Sequence, residues 1–236
     1  MAKCLIIIPA FNEAESIEKV INNLIERYPH YDYLIINDGS TDATKRICAC
    51  NHYQVLHLPI NMGIGGAVQT GYRYARDNDY EIAVQIDGDG QHDVSFLGSI
   101  IEMIQSGHAD VVIGSRFVEK EGFQSSQMRR LGIGFLSVLG WLLTGVRVRD
   151  ITSGYRAVNR KFIQIFAEDY PTDYPEPEAM VIAAVYGGKI RECPVIMRER
   201  ESGESSITPR KSIYYMVKVT LAMLIRRLSF GVRRAK

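Results

Sequence analysis

Five short apolar runs, at residues 4–8, 33–36, 53–56, 82–86 and 110–114, constrain the fold of this chain more than any other feature. The first four are each followed by a turn and a helical pattern, the rhythm of βαβ units. Cys4-Leu5-Ile6-Ile7-Ile8 is apolar at every position, as befits a strand covered on both faces, and Pro9 is expected to end it. Ile17, Val20, Ile21, Leu24, Ile25 and Tyr28 then recur at helical spacing, with Asn12 and Glu15 placed as an approximate capping box. Further helices are expected from residue 43, within 61–76 and over 96–106. The alternation predicts an α/β fold with a mostly parallel central sheet, right-handed crossovers and flanking helices. With 236 residues, 46% of them hydrophobic, the chain can bury a full core as one domain plus appendages.

Ligands in open α/β sheets bind beyond the carboxyl ends of the strands. The run ending at Ile86 delivers Asp87-Gly88-Asp89-Gly90-Gln91-His92 to that edge. Two carboxylates one residue apart repel each other, and a hard cation such as Mg2+ or Mn2+ relieves the repulsion through oxygen ligands that a diphosphate can complete. Gln91 can add an amide oxygen, while a solvated Asp-Gly turn is the plain alternative. In Asn61-Met62-Gly63-Ile64-Gly65-Gly66-Ala67 the glycines, Gly65 among them, permit close backbone approach to a nucleotide or a tight crossing beneath the sheet. The first-strand loop, Pro9-Ala10-Phe11-Asn12-Glu13, has no glycine, which counts against a nicotinamide dehydrogenase. Arg116 ends the fifth run, where its planar fork suits phosphate oxygens or a surface salt bridge.

After residue 117 the rhythm breaks. Residues 131–143 are apolar nearly all round a helix, so this segment is either buried or in contact with lipid. Glu176 and Glu178 stand at the start of a helix expected over 179–186, where carboxylates are favourable in any case. A late strand is expected within 190–197, followed by a charged Gly/Ser-containing loop at 198–206 that could close over a ligand. Residues 210–236 hold eight Lys or Arg and no acid, although the whole chain carries a net charge of only +1. There Ile213, Met216, Val217, Thr220, Leu221, Leu224, Ile225 and Leu228 share a helical stripe beside Lys218, Arg226, Arg227, Arg233 and Arg234. Such a helix suits an anionic membrane surface or docking on the body or on another subunit. No run reaches the roughly 18 apolar residues of a spanning helix, and no leader pattern is expected at the start. Cys4, Cys48, Cys50 and Cys193 lack paired metal spacing, which sets a reduced cytosolic setting as the expectation.

The loops Pro9–Glu13, Asn37–Asp42, Asn61–Ala67, Asp87–His92, Gly114–Arg116 and Asp150–Tyr155, six motifs in this order, resemble glycosyltransferase family 2, the inverting GT-A class. Within it the chain is similar to polyprenyl-phosphate glycosyltransferases of the dolichol-phosphate mannose synthase type. The resemblance spans residues 4–156 and implies a single Rossmann-like domain. Its parts would be a nucleotide-sugar-binding half at 1–117, an acceptor-binding half with a mobile lid at 118–209, and a basic amphipathic membrane-associating helix at 210–236. Pro9, Phe11, Asn12, Glu13 and Asp38 would line the donor pocket with Gly65, Asp87 would lie on the nucleoside side, and Asp89 and Gln91 would hold Mg2+ or Mn2+. Asp89, Arg116 and Asp150 are the implied catalytic residues. Arg116, Arg129, Arg130, Ser153, Glu176 and Glu178 would face the acceptor, and Arg198 and Arg200 would clamp the donor diphosphate. The lid departs from the Gly-x-Ser-Lys of many relatives, reading Gly203-Glu204-Ser205-Ser206.

The implied reaction moves one hexose, of the glucose, N-acetylglucosamine or mannose type, from a nucleotide diphosphate sugar to a polyprenyl phosphate. A UDP-sugar is the preferred donor, and the enzyme would be peripheral on the cytosolic face of the cell membrane, serving cell-wall polysaccharide. A small membrane-protein partner or a homo-oligomer fits this setting, and no nucleic-acid partner is expected. Alternatives are a transferase acting on a glycan hydroxyl with a glutamate base, and a non-catalytic nucleotide-sugar-binding protein.

Overall fold

The computed structural model describes residues 2–119, 121, 122, 124, 126–198 and 209–234. Its strands are β1 (Cys4–Ala10), β2 (Asp32–Asn37), β3 (Val55–His57), β4 (Ile82–Gln85), β5 (Val111–Ser115), β6 (Arg156–Asn159) and β7 (Ile190–Pro194). They form one sheet in the order β3-β2-β1-β4-β6-β5-β7. The helices are α1 (Ile17–Arg27), α2 (Thr44–Cys50), α3 (Gly63–Asp77), α4 (Leu97–Gln105), α5 (Gln127–Thr144), α6 (Arg160–Glu168), α7 (Pro175–Val185) and α8 (Pro209–Arg234).

All of β1 is buried because both faces of the sheet are covered. Leu5 and Ile7 pack into the layer of α3, α5, α6, α7 and α8, while Cys4, Ile6 and Ile8 pack against α1 and α4. Side chains alternate with period two along a strand, so one continuous apolar run feeds both layers. The strand runs through Pro9 to Ala10, beyond the expected stop. Pairing of β1 with β4 ends at Ile7 opposite Gln85, and the Ile86 amide closes on the Ile7 carbonyl. Pro9 therefore sits past the end of that ladder, where its missing N–H leaves no bond unmade.

The strand order holds one feature absent from the expected rhythm. β6 lies antiparallel between β4 and β5, with Arg156 opposite both Gln85 and Ile113. Running against its neighbours, β6 begins at the end of the sheet where β4 and β5 finish. The turn before it, residues 150–155, is thereby brought to the rim that carries Asp87 and Arg116. Helix α6 follows, burying Phe162, Ile163, Phe166 and Ala167 as one amphipathic face.

α8 docks on the body through Val219 and Met223, both buried, and through Arg226, which pairs with Glu178 and Asp169 at 2.8 Å. Its neighbour α5 accommodates it with glycines. A Cβ on Gly132 would stand 3.3 Å from Met216 Sδ, and one on Gly140 would stand 3.5 Å from Met223 Cε and 2.7 Å from Ile151 Cδ1. The stripe expected to be apolar on α8 points the other way: Val217, Leu221, Ile225 and Leu228 are exposed.

Candidate active site

Three loops at the carboxyl ends of β1, β2 and β4 are tied into one rim. Asn12 takes φ 57°, and its Oδ1 accepts from the amides of Thr41 at 2.8 Å and Asp42 at 3.3 Å. This differs from the capping box. α1 starts at Ile17 with no side-chain cap, because Asn12 is committed to the β2 loop instead. Ser40 Oγ accepts from the Asn12 amide, Thr44 Oγ1 from Glu13, and Asp42 Oδ2 from Ala14, each within 3.1 Å. Phe11 stands exposed above this rim, and Glu13 lies half-buried beside Ser16, whose hydroxyl donates to the Gly88 carbonyl at 2.8 Å. Pro9 is buried in the strand, with its carbonyl facing Gly88.

Two residues expected at the nucleotide do other work. Asp38 is buried and accepts the Met62 amide at 2.7 Å, which fastens the β2 loop to the start of α3. Burial raises its pKa, and the amides of Met62 and Gly63 oppose the rise. Gly65 faces the backbone of 171–172 and not a ligand: its amide donates to Thr172 O at 3.1 Å, and a Cβ there would lie 2.1 Å from Pro171 O.

The acidic loop is latched by a histidine. The Asp87 amide donates to His92 Nδ1 at 3.0 Å, which leaves the ring proton on Nε2, 3.6 Å from Asp87 Oδ2. His92 stacks on Tyr155 at 4.9 Å. The Asp87 carboxylate lies against Gly154, where a Cβ would stand a tight 3.1 Å from Oδ2. Asp89 is buried, accepts the Gln91 amide at 3.0 Å, and lines a small cleft with Ser16, Lys19, Asn23 and Arg198. Arg198 closes that cleft. Its amide donates to Gln91 O at 2.9 Å, but its guanidinium rests on Asp93 at 2.8 Å and not at the place expected for a diphosphate clamp. Arg200 lies outside the described residues.

No group of three or more His, Cys, Asp and Glu able to hold a metal occurs among the described residues. Asp89 and Gln91 carry hard side-chain oxygens two residues apart on one turn, which the Gln91 backbone amide closes onto Asp89 Oδ1. Such a pair fits Mg2+ or Mn2+ of the kind that completes its shell from substrate phosphates and water.

The acceptor side departs most from expectation. Arg116 is buried and grips Asp150 with both arms, Nε to Oδ2 and Nη2 to Oδ1 at 2.8 Å each. Asp150 is fully buried, and Glu192 Oε1 holds the amides of Arg149 and Asp150 at 2.9 Å. Asp150 thus holds Arg116 in place from within the core. Its carboxylate uses the Nε–Nη2 edge that would otherwise suit an acceptor phosphate. Ser153 is likewise buried inside its turn, its Oγ accepting the Tyr155 amide at 3.2 Å.

Arg129 projects from the first turns of α5 into the field of Arg116, Tyr215, Asp150 and Glu176. Burial lowers its pKa, Arg116 lowers it further, and Tyr215, Asp150 and Glu176 oppose the fall. Arg130, next along α5, is exposed. The two glutamates of α7 separate: Glu178 belongs to Arg226 on the α8 side, whereas Glu176 shares the crevice with Asp87, Arg129 and Arg156. Burial pushes Glu176 up to about 7, with Asp87 adding to the rise and Arg156 and Arg129 opposing it. Beneath lie groups the sequence reading missed: Arg156, buried and donating to Ser153 O and Ile151 O, and Tyr72, Gln85 and Tyr170, each with a buried side-chain oxygen that lacks a partner. A glutamine inside an apolar strand was the available signal for Gln85.

Residues 5–166 match the glycosyl transferase family 2 profile. The chain belongs to that family. This glycosyltransferase is 31% identical over 215 residues to an undecaprenyl-phosphate mannosyltransferase of Micrococcus luteus, covering 87% of this chain and 88% of the relative. It is 30% identical over 216 residues to a UDP-N-acetylglucosamine–dolichyl-phosphate N-acetylglucosaminyltransferase of Methanococcus voltae, covering 80% of this chain and 83% of the relative. Its fold matches glucosyl-3-phosphoglycerate synthase of Mycobacterium tuberculosis, solved with Mn2+, UDP-glucose and phosphoglyceric acid. That match has a TM-score of 0.74 at 18% identity, over 96% of this chain and 80% of the other. The GT-A architecture of a mostly parallel sheet flanked by helices is therefore common to both.

Proposed function

We propose that this glycosyltransferase moves one hexose from a nucleotide diphosphate sugar, UDP-linked by preference, to a polyprenyl phosphate, with inversion at the anomeric carbon. The observation that carries the reading is Arg129: an exposed cation at the head of α5, within the field of Arg116 and Glu176 at the crevice mouth, on a helix whose outward face is apolar along its length. A lipid phosphate needs that combination of a cation at the crevice mouth for its head and an apolar path for its chain. The two relatives, both named for transfer to a polyprenyl-type phosphate, support it.

A phosphate monoester loses its second proton near pH 6, so the acceptor is already an anion at neutral pH and needs no base. Its oxygen would attack the anomeric carbon as the bond to the donor diphosphate breaks, and the electron pair leaves with the nucleoside diphosphate. Arg129 would orient the acceptor. Arg116, locked by Asp150, would add positive potential from behind without holding the nucleophile too tightly. Asp89 and Gln91 would hold a divalent cation, which when bound neutralises charge on the departing diphosphate. Arg198, the half-exposed partner of Asp93, would exchange it for the donor.

A second reading has one observation in its favour. Glu176 at about 7 is poised as a general base, which a sugar-hydroxyl acceptor would require. The pH profile of Glu176→Gln decides between them. Under the lipid-phosphate reading the variant keeps activity on undecaprenyl phosphate within about tenfold and rises with phosphate ionisation near pH 6. Loss of the rising limb near pH 7 together with about 10²–10⁴-fold of the rate would favour the hydroxyl acceptor. In parallel, Arg129→Gln is expected to raise the acceptor KM about tenfold, near 1.4 kcal/mol, and leave the donor KM unchanged.

A further inference from the structure

We infer that Tyr215 of α8 is a positioning residue of the crevice: its ring clamps the strained turn at Tyr174 in the conformation that sends Glu176 toward Arg129 and Arg156. The inference deepens the polyprenyl phosphate reading, and its acceptor measurement rests on that reading.

Tyr174 immediately precedes α7 and takes φ 50° and ψ 58°. A bulky side chain rarely occupies this left-handed region. Pro175 follows, and a residue before proline is steered to extended backbone, so the conformation is disfavoured twice over. Such strain persists only where the surroundings hold it. The bend also fixes the entry of α7: Glu176, one residue beyond Pro175 in the first turn, faces the crevice, while Glu178 turns to Arg226.

Little is available to hold it. Ahead of the bend, residues 171 and 172 lie on α3, where the Gly65 amide donates to Thr172 O at 3.1 Å. Behind it, a cavity of about 300 Å³ separates the turn from α8, with Asp173, Tyr174, Lys218 and Ala222 in its walls. Among the described residues, two α8 side chains bridge that gap. Lys218 pairs with the exposed Asp173 at 2.6 Å, and a pair so open to water holds little. Tyr215 meets Tyr174 edge to face, with ring centroids 4.6 Å apart and an interplanar angle of 88°, and both rings pack on the larger apolar cluster of the core. An edge-to-face pair at that distance is attractive beyond the area it buries. The aromatic contact is therefore the chief restraint on the bend from the α8 side.

The groups around Glu176 give the clamp its effect. Arg156 from β6, Asp87 from the loop after β4, Arg129 from α5, Tyr170 from the segment before α7 and Tyr215 itself all act on its carboxyl. Without the ring, the bend relaxes toward extended backbone, the first turn of α7 unwinds and the carboxyl leaves this group for water. Arg129 then loses a carboxyl neighbour on the acceptor side.

The full chain is compared with Tyr215→Phe, Tyr215→Ala, Tyr174→Gly, and Tyr174→Gly combined with Tyr215→Ala. Unfolding midpoints are read from pH 5 to 8, and KM is measured for the nucleotide sugar and for a short, water-soluble prenyl phosphate. Tyr215→Phe keeps the ring and is expected to match the native protein in both. Tyr215→Ala should flatten the share of the midpoint's fall between pH 5 and 8 that comes from Glu176, and raise the acceptor KM about tenfold with the donor KM unchanged. Glycine carries positive φ without strain, so the Tyr174→Gly chain needs no clamp and tolerates Tyr215→Ala, even where the alanine variant alone does not fold. The combined variant should share the acceptor KM and pH dependence of Tyr174→Gly. Equal losses in Tyr215→Phe and Tyr215→Ala overturn the proposal, because the hydroxyl would then be at work. So does a combined variant that loses a further factor of about ten relative to Tyr174→Gly. The midpoints need no acceptor. A pH response that follows the ring, with no product on the prenyl phosphate, supports the clamp and rejects the acceptor reading, whereas product with neither midpoint nor KM moved in Tyr215→Ala rejects the clamp alone.

Discussion

Where β1, β2 and β4 end, polar side chains are spent on holding backbone: Asn12 on the β2 loop, Asp38 on the start of α3, His92 on Asp87. At the opposite wall, α5, α7 and α8 bring Arg129, Glu176 and Tyr215 to the crevice and turn a row of leucines outward. The first region is preorganised, with its geometry fixed before any ligand arrives, as suits a small polar donor that must be oriented. The second leaves charge and apolar surface uncompensated, which suits a partner that supplies both. Between them lies the Arg116–Asp150 pair, buried and two-armed, which belongs to the rim in its rigidity and to the mouth in its charge.

The contrast can be broken at that pair with the largest effect. Asp150→Ala leaves Arg116 buried without its partner and should lower unfolding free energy by about 3–5 kcal/mol, measured by denaturant titration. A paired replacement of Arg116 and Asp150 by apolar residues should recover part of the loss. Asp89→Ala, by contrast, is expected to leave the unfolding midpoint nearly unchanged while turnover falls about 10²–10³-fold in the presence of Mg2+ or Mn2+. Near-native turnover in that variant would remove Asp89 from the metal assignment.

Glu176 sharpens the comparison through pH. Its pKa is raised in the folded state, from 4.5 to about 7, so the folded protein holds this proton more tightly than the unfolded chain. Its contribution to stability is therefore fully present below pH 4.5, is lost as pH rises toward 7, and is absent above. Glu176→Gln removes that dependence. The variant should gain on the native protein as pH rises from 5 to 8, by up to about 3 kcal/mol, read from unfolding midpoints at each pH. The smallest effect is expected at the rim's edge, where Arg198→Ala should change stability by less than about 1 kcal/mol because the guanidinium facing Asp93 is half-exposed and screened by water. A larger loss there would show that Arg198 holds Asp93 more firmly than a half-exposed pair should.

Much of the fold could be read before the structure because continuous apolar runs and helical stripes leave few alternatives. β1, β2 and β4 appear where the runs lie, and α1 and α3 where the stripes lie. β6 and α6 were missed for a physical reason: a four-residue strand with a buried arginine in its first place shows no period. The unforeseen contacts in the site share a cause. Asp150, Ser153 and Gly65 stand in motifs that name a residue type but cannot say what packs over it. Asp150 meets Arg116, Ser153 closes on its own turn, and Gly65 admits the chain at Pro171 and Thr172. Glu176 and Glu178 look equivalent in sequence, yet Arg226, arriving from α8, claims one and leaves the other to the crevice. Contacts of that range have no local signature.

The acceptor is the point on which the account stands or falls. Purified enzyme in detergent with Mn2+ should be offered radiolabelled UDP- and GDP-sugars together with undecaprenyl phosphate or a panel of glycan acceptors, and the products analysed by extraction and mass. The account predicts a single hexose joined to the lipid phosphate, in the configuration inverted from the donor. Label found only on a glycan hydroxyl, with none on the lipid under any donor, would contradict it.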